Sequence, residues 1–435
     1  MGKLAFINAR IMDPETGLDT QANNGSGNGQ LLVVDGKIAD FGVGIFPNTP
    51  PADAEVIDCG GKLLTPGLID IQVHFREPGQ EYKETIETGT KSAAAGGVTT
   101  VVCMANTQPV NDDITVMEFI KSRAREKGVV NLYAYAAITK GLKGEELTEM
   151  AMLRDAGAIG FSDDGKPVMN ALVMRRAMEY AKSVGLPIAQ HAEDTHLSCG
   201  GCINEGEISA RLGLPGITWA SEAVIVARDI ILNQLTGCPY HVLHISTAEA
   251  VDLVRRAKAR GQNVTCEVAP HHFAMNESAV GDFNTNAKMN PPLRSEADRL
   301  AIIEGLRDGT IDAIATDHAP HDADSKNEAI EDAPFGIVGL ETMLPISLQL
   351  YRDNVLSLRE VIAKMTYRAA DILNLPAGRI AKGAAADLTL IDLDREWNFS
   401  NSQLASKSKN SPFEDMKMKG RAVLTVVRGN KVYVV

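Results

Sequence analysis

The sequence predicts an α/β fold: a closed (β/α)8 barrel of the TIM type, with a small β-sandwich built from both ends of the chain. Three observations lead there. The middle of the chain alternates strand-like and helix-like stretches, with eight apolar runs at 64–73, 98–104, 129–138, 156–161, 186–191, 239–245, 263–269 and 311–316. Reactive side chains fall at the C-terminal end of nearly every run, and a barrel gathers such ends into one mouth. The outer segments 1–62 and 371–435 hold only short strands and turns, too little apolar pattern for either to fold alone.

In chain order, strands are expected at 4–9, 31–34, 38–41 and 55–57, with an Asp35-Gly36 turn and a Gly- and Asn-rich loop at 23–28. The barrel is expected over 63–370, with helix-like periodicity at 113–127, 145–156, 171–184, 221–235, 247–260 and 296–308. Eight strands with helical crossovers fit a closed barrel better than an open sheet. Strands at 386–392, 422–427 and 431–435 then pair with those of 1–62 and bring the two ends of the chain together. Trp219, beside a helical stretch, reads as a core residue. Gly96-Gly97 and the 157–160 glycines lack the strand, Gly-rich turn and helix order of a dinucleotide fingerprint.

Composition narrows the function. The 435 residues are 44% hydrophobic, enough for a substantial core, yet no run approaches the ~18 apolar residues that span a bilayer. The first residues resemble neither an export signal nor a myristoylation site, since position 6 is Phe. A net charge of −13 argues against nucleic-acid binding, which needs Lys and Arg on phosphates. Cys199-Gly-Gly-Cys202 has the spacing of a metal or redox pair, but no second pair follows, and Cys103, Cys238 and Cys266 sit in apolar runs as small core residues. A cytoplasmic protein is expected.

The chemistry concentrates at the strand ends. All nine histidines lie between 74 and 321. Asp70-Ile-Gln-Val-His-Phe-Arg-Glu77 ends the first strand, and residues two apart share a face, so Gln72 and His74 can reach one site. His74, Asp164, His191, His244 and Asp317 together form the set a hydrolytic metal site needs, because neutral imidazoles and carboxylates bind Zn²⁺ and the ion lowers the pKa of bound water towards ~7. His241 has the wrong parity to share a face with His244. Of His271 and His272, one must face away from the mouth. In Asp317-His318-Ala319-Pro320-His321, Asp317 can serve as base and then acid. Arg76 offers a planar fork for a substrate carboxylate, and Asn106 and Asn290 can bond amide or imide edges. The polar 322–334 segment reads equally as a loop over the mouth and as solvated surface.

These residues carry a resemblance over nearly the whole chain. VHFREPG (73–79), MANTQP (104–109), FSDDG (161–165), HAED (191–194), HIST (244–247), KMNPPLR (288–294), ATDHAPH (315–321) and APFGIVGLE (333–341) are similar to motifs of the dihydroorotases, bacterial type with a bridging aspartate, in the amidohydrolase superfamily. The resemblance implies that His74 and Asp317 hold a first metal, His191 and His244 a second, and Asp164 bridges them, while Asp163 is structural. Hydantoinases bridge with a carboxylated lysine, and FSDDG has none. It also implies that His74, Phe75, Arg76, Asn106, Asn290 and His321, with Phe335 and Gly336 through their backbone, hold the substrate, and that Asp317 is the acid/base. The implied reaction is reversible closure of N-carbamoyl-L-aspartate to L-dihydroorotate plus water in pyrimidine synthesis, by a homodimer able to associate with aspartate carbamoyltransferase.

One departure touches the metal ligands; smaller ones, Ala105 within MANT and Ala192 within HAED, supply no ligand. The family's His-x-His is here Gln72-Val-His74, and an amide oxygen is a poorer zinc ligand than imidazole. Three readings stay open: one firmly bound zinc at the second position with a weaker first ion, a full pair with Gln72 as spectator, or an impaired homologue serving as scaffold. An allantoinase-like activity is disfavoured by Arg76, a carboxylate clamp that such a pocket has no use for.

Overall fold

The computed structural model describes residues 2–21 and 28–435, so most of the expected 23–28 loop lies outside the described residues. Parallel strands Leu68–Val73, Val98–Cys103 and Asn131–Ala134 make one side of the barrel. Ile188–Gln190, Tyr240–Val242, Val264–Val268 and Ala313–Ile314 make the other. Phe161 joins the two sides, bridging in parallel to Ala136 and Ile188. The ring closes where Val73 bridges to His318 and the His74 N–H donates to His318 O at 2.8 Å. The strand positions thus run round the barrel in chain order, as a (β/α)8 fold requires.

The fourth strand is shorter than the 156–161 run suggested. The preceding helix, Met150–Ala156, consumes the start of that run and stops at Gly157, whose φ of 112° is open to glycine but strained for other residues. The same helix begins later than expected because Thr148 Oγ1 donates to Ala137 O at 2.7 Å and Leu147 pairs with Thr139, which holds 147–148 out of helical geometry. Four of the other expected helices start at side-chain caps that satisfy free N–H groups, Asp113, Asn170, Thr247 and Ser295, while Ala220–Thr236 starts at Trp219 without one. Inside the barrel, Ile69, Ile71, Val102, Tyr135, Ala189, Leu243 and Ala313 pack as one apolar cluster with Ala369, Ala370 and Leu373. The barrel is therefore a filled core and not a channel.

Both ends of the chain share a nine-stranded sheet. Its path runs Asn430–Val434, Lys417–Val427, Leu388–Asn398, Leu63–Pro66, Lys3–Asp13, Gly29–Val34 and Lys37–Val43, with Leu18–Asp19 and Ala54–Asp58 on Lys3–Asp13. Phe6, Ile11, Leu31, Ile38, Leu388 and Val426 fill its core. Leu63–Pro66, expected to open the barrel, belongs to this sheet and pairs antiparallel with Leu388–Asn398. The chain crosses to the barrel at Gly67, where a Cβ would lie 2.0 Å from Thr99 Oγ1, so only glycine fits. Trp219 is not a core residue: it is 47% exposed at the start of helix Ala220–Thr236, whose buried face is filled by Ile225, Val226 and Ile230. Among the described residues no helix is long and apolar enough to cross a membrane.

Candidate active site

Five side chains from five strand ends meet at the mouth. His74, Asp164 and Asp317 offer ligand atoms within 4.8 Å of one another, and so do Asp164, His191 and His244. All five are buried. Asp164 belongs to both groups. Its Oδ2 lies 3.0 Å from His74 Nε2, and its Oδ1 lies 3.4 Å from His191 Nδ1 and 3.5 Å from His244 Nε2. Atoms that share an ion at a radius of ~2 Å are about 3 Å apart, so both clusters are compatible with a divalent metal. His244 and Asp317 also hold positive φ of 32° and 51°, a region costly for non-glycine residues and typical of side chains aimed at a functional centre.

Electrostatics binds the cluster together in the metal-free state. Burial opposes a charged His74, but hydrogen bonds to Asp164 and Asp317 outweigh it and push its pKa up to about 9. Burial likewise opposes a charged His191, and Asp164 and Glu193 outweigh it and push the pKa up to about 10. Burial alone would raise Asp164, yet His191, His244 and His74 hold it well below the usual carboxylate range. Three cation-capable rings around one carboxylate are what an incoming divalent ion would replace.

The surroundings fix which nitrogen faces the centre. His74 Nδ1–H donates to Asn106 Oδ1 at 2.9 Å, leaving Nε2 for the centre. His191 Nε2–H donates to Glu193 Oε2 at 2.9 Å, leaving Nδ1 2.9 Å from His244 Nε2. Glu193 also accepts from Asn290 Nδ2 at 3.0 Å. Burial would raise the Glu193 pKa, but His191, Ser198 and Asn290 bring it down to about 2, so it is ionised and orients the ring. Glu193 lies in the HAED segment quoted from the sequence, where it carried no role; its i+2 spacing from His191 was the available signal.

Gln72 is fully buried beneath this centre. Its Nε2 donates weakly to Asp164 Oδ2 at 3.4 Å, and its Oε1 has no partner. Beside the clusters, half-buried Arg76 donates from Nε to Pro320 O at 3.3 Å. Burial lowers its pKa to about 10 against the fields of Asp317 and Asp164, so it stays cationic at neutral pH. His321 Nε2–H donates to Phe335 O at 2.8 Å, and its Nδ1 is buried without a partner.

Other candidates fall elsewhere. Phe75 alternates to the opposite face from His74 and Arg76: its ring packs against Gly89 of helix Ile86–Ala95 and edge-on to His318, so it cannot line the substrate pocket. Gly336 offers no free backbone donor, because its N–H goes to Lys288 O at 3.0 Å. His318 is structural, accepting at Nδ1 from Gly339 N at 3.1 Å and facing Glu84. Asp163 accepts from the N–H groups of Ile138 and Thr139 at 2.7 and 3.1 Å. His241 pairs with Thr265 inside the barrel, His272 with Pro291 O, and His196 is exposed. The 322–334 segment is stapled in place: buried Lys326 donates to Pro334 O and Lys288 O at 2.9 and 3.2 Å, and Lys288 donates to Ile330 O and Glu331 O at 2.6 and 3.0 Å. Cys199 is exposed, Cys202 is buried, and both are free thiols.

The barrel mouth thus holds two buried acid–imidazole clusters that share one carboxylate. An L-hydantoinase (dihydropyrimidinase) from Arthrobacter aurescens superposes with a TM-score of 0.86 at 27% identity, covering 100% of this chain and 96% of that one. The dihydro-orotase-like family model matches residues 61–250. A dihydroorotase from Wolbachia sp. subsp. Drosophila simulans (strain wRi) is 56% identical over 432 residues, 99% of this chain and 96% of the relative. One from Anaplasma phagocytophilum (strain HZ) is 54% identical over 433 residues, 99% and 95% of the two chains. The chain belongs to the dihydroorotase family.

Proposed function

We propose that this enzyme interconverts N-carbamoyl-L-aspartate and L-dihydroorotate, with Zn²⁺ held firmly by Asp164, His191 and His244 and a second ion held more weakly by His74, Asp164 and Asp317. The observation that carries the reading is Asp164, buried among three imidazoles from three other strands at the barrel mouth. Identity of 54–56% to dihydroorotases along the full chain supports the substrate assignment. A bound divalent ion supplies Lewis acidity and lowers the pKa of its water.

The side chains do the rest. Arg76 pairs with the substrate carboxylate, since its guanidinium is cationic and its Nε hydrogen bond goes to the Pro320 carbonyl and not to a carboxylate. Asn106 and Asn290 present amides to the ring edges, and His321 closes the pocket beside Arg76. Asp317 accepts the proton of the attacking water in ring opening and returns it to the leaving ring nitrogen; in ring closure the transfers reverse. Burial of the five central side chains keeps bulk water from competing for these hydrogen bonds.

Steady-state turnover with the zinc-loaded protein tests the reading. L-dihydroorotate is expected to be hydrolysed, and hydantoin and allantoin, which lack the carboxylate, are not. No turnover of dihydroorotate with any divalent metal would favour the scaffold reading, in which the chain serves aspartate carbamoyltransferase. We also propose a homodimer, supported by Val224, Ile231 and Leu235, which form an exposed apolar stripe on helix Ala220–Thr236. Light scattering on the purified chain tests that assembly.

A further inference from the structure

The geometry points to an unequal metal pair: we propose that Gln72 makes the first position an oxygen-rich site that discriminates less against harder divalent ions of the manganese class, relative to zinc, than an imidazole at position 72 would, while the second remains a zinc site. This rests on the metal positions of the proposed function and assigns Gln72 a part in them.

Gln72 lies two residues before His74 on the first barrel strand and on the same face. Its amide is buried and half satisfied, with Nε2 3.4 Å from Asp164 Oδ2 and Oε1 without a partner. A half-turn about the terminal bond exchanges the two atoms and brings the oxygen to the face of Asp164, about as far from Oδ2 as two ligands of one ion are from each other. His74 Nε2 already stands 3.0 Å from both Asp164 Oδ2 and Asp317 Oδ1, the same kind of spacing. The first position then offers one imidazole nitrogen and three oxygens, from Asp164, Asp317 and Gln72. The second offers two imidazole nitrogens and one oxygen, from His191, His244 and Asp164. Zinc outranks manganese at any one set of nitrogen and oxygen donors, but the margin narrows as carboxylate and carbonyl oxygens replace imidazole.

The test is metal partition. Metal-stripped full-length protein is dialysed against a series of Mn²⁺-to-Zn²⁺ ratios, metals per chain are counted, and bound Mn²⁺ is read by electron paramagnetic resonance. Wild type is expected to keep zinc at the second position and to exchange zinc for manganese at the first once manganese is in excess. Gln72→His is expected to need at least a ten-fold higher ratio for the same exchange. Gln72→Leu, similar in size and without an oxygen, is expected to keep the one zinc and bind no manganese beside it, with an unchanged circular dichroism spectrum marking an intact fold. Equal partition in wild type and Gln72→His, or manganese retained by Gln72→Leu, would overturn the proposal. Turnover of dihydroorotate is measured separately. Its absence alongside a Gln72-dependent partition would sink the proposed reaction and leave the metal assignment standing, and turnover with a Gln72-independent partition would do the reverse.

Discussion

The two acid–imidazole clusters share Asp164 and differ in nearly everything else. The second pairs two histidine rings, His191 and His244, and anchors one of them on ionised Glu193. The first has a single ring, His74, between two carboxylates, with the neutral amide of Gln72 beneath. One strand end, with Gln72 two residues before His74, thus separates a nitrogen-rich position from an oxygen-rich one within the same buried centre. A shared bridging carboxylate does not make two positions equivalent; the remaining donors and what orients them decide.

The comparison breaks most completely at its common member. Asp164→Asn removes the charge that both clusters lean on, and turnover of dihydroorotate is expected to fall by at least ~10³-fold, with metal content dropping at both positions. Elemental analysis alongside kcat checks this, and full metal content in the variant would show that the bridge is dispensable. Arg76→Ala comes next. Loss of a charge-assisted pair with the substrate carboxylate is expected to lower kcat/KM by roughly 10–10²-fold, with metal content unchanged. An equal loss with a substrate analogue lacking the carboxylate would contradict the clamp. Glu193→Gln sharpens the asymmetry, because His191 is the one metal-cluster ring that Glu193 orients. A loss of about 10–100-fold in zinc affinity is expected at the second position, with little change at the first.

The smallest expected effect is on stability against pH. In the metal-free protein His74 and His191 have pKa values raised to about 9 and 10. Groups raised on folding contribute stability that is fully present below their unfolded value near ~6.5 and is lost as pH rises through the folded values. Melting of the stripped protein is therefore expected to weaken between pH ~6.5 and ~10 through these groups. Metal affinity is expected to climb over the same window, since binding must expel their protons. Calorimetry of stripped and loaded protein across that range checks both, and a stripped protein that gains stability towards pH 10 would contradict the assignment.

Much of the centre was legible because barrel geometry turns strand ends into neighbours. His74, Asp164, His191, His244 and Asp317 could be collected from the sequence without any knowledge of side-chain orientation. Orientation is where that reading ran out. Phe75 sits between two site residues in sequence, but strand alternation sends it into the packing against Gly89. Gly336 is beside the site, yet its N–H is committed to Lys288 O, a hydrogen bond between residues far apart in sequence. The polar 322–334 segment reads as a loop because its composition says nothing of Lys326, whose buried ammonium staples it. Leu63–Pro66 and the barrel strand after it form one apolar run, and only tertiary pairing divides them at Gly67.

Stepwise zinc titration of the stripped full-length protein, followed by calorimetry and by dihydroorotate turnover in the same samples, tests the central claim most directly. The expected result is one tight equivalent, a second at least ~10-fold weaker as expected for a poorer ligand set, and measurable turnover. Two equally tight equivalents, or zinc binding without turnover under any loading, would contradict the account.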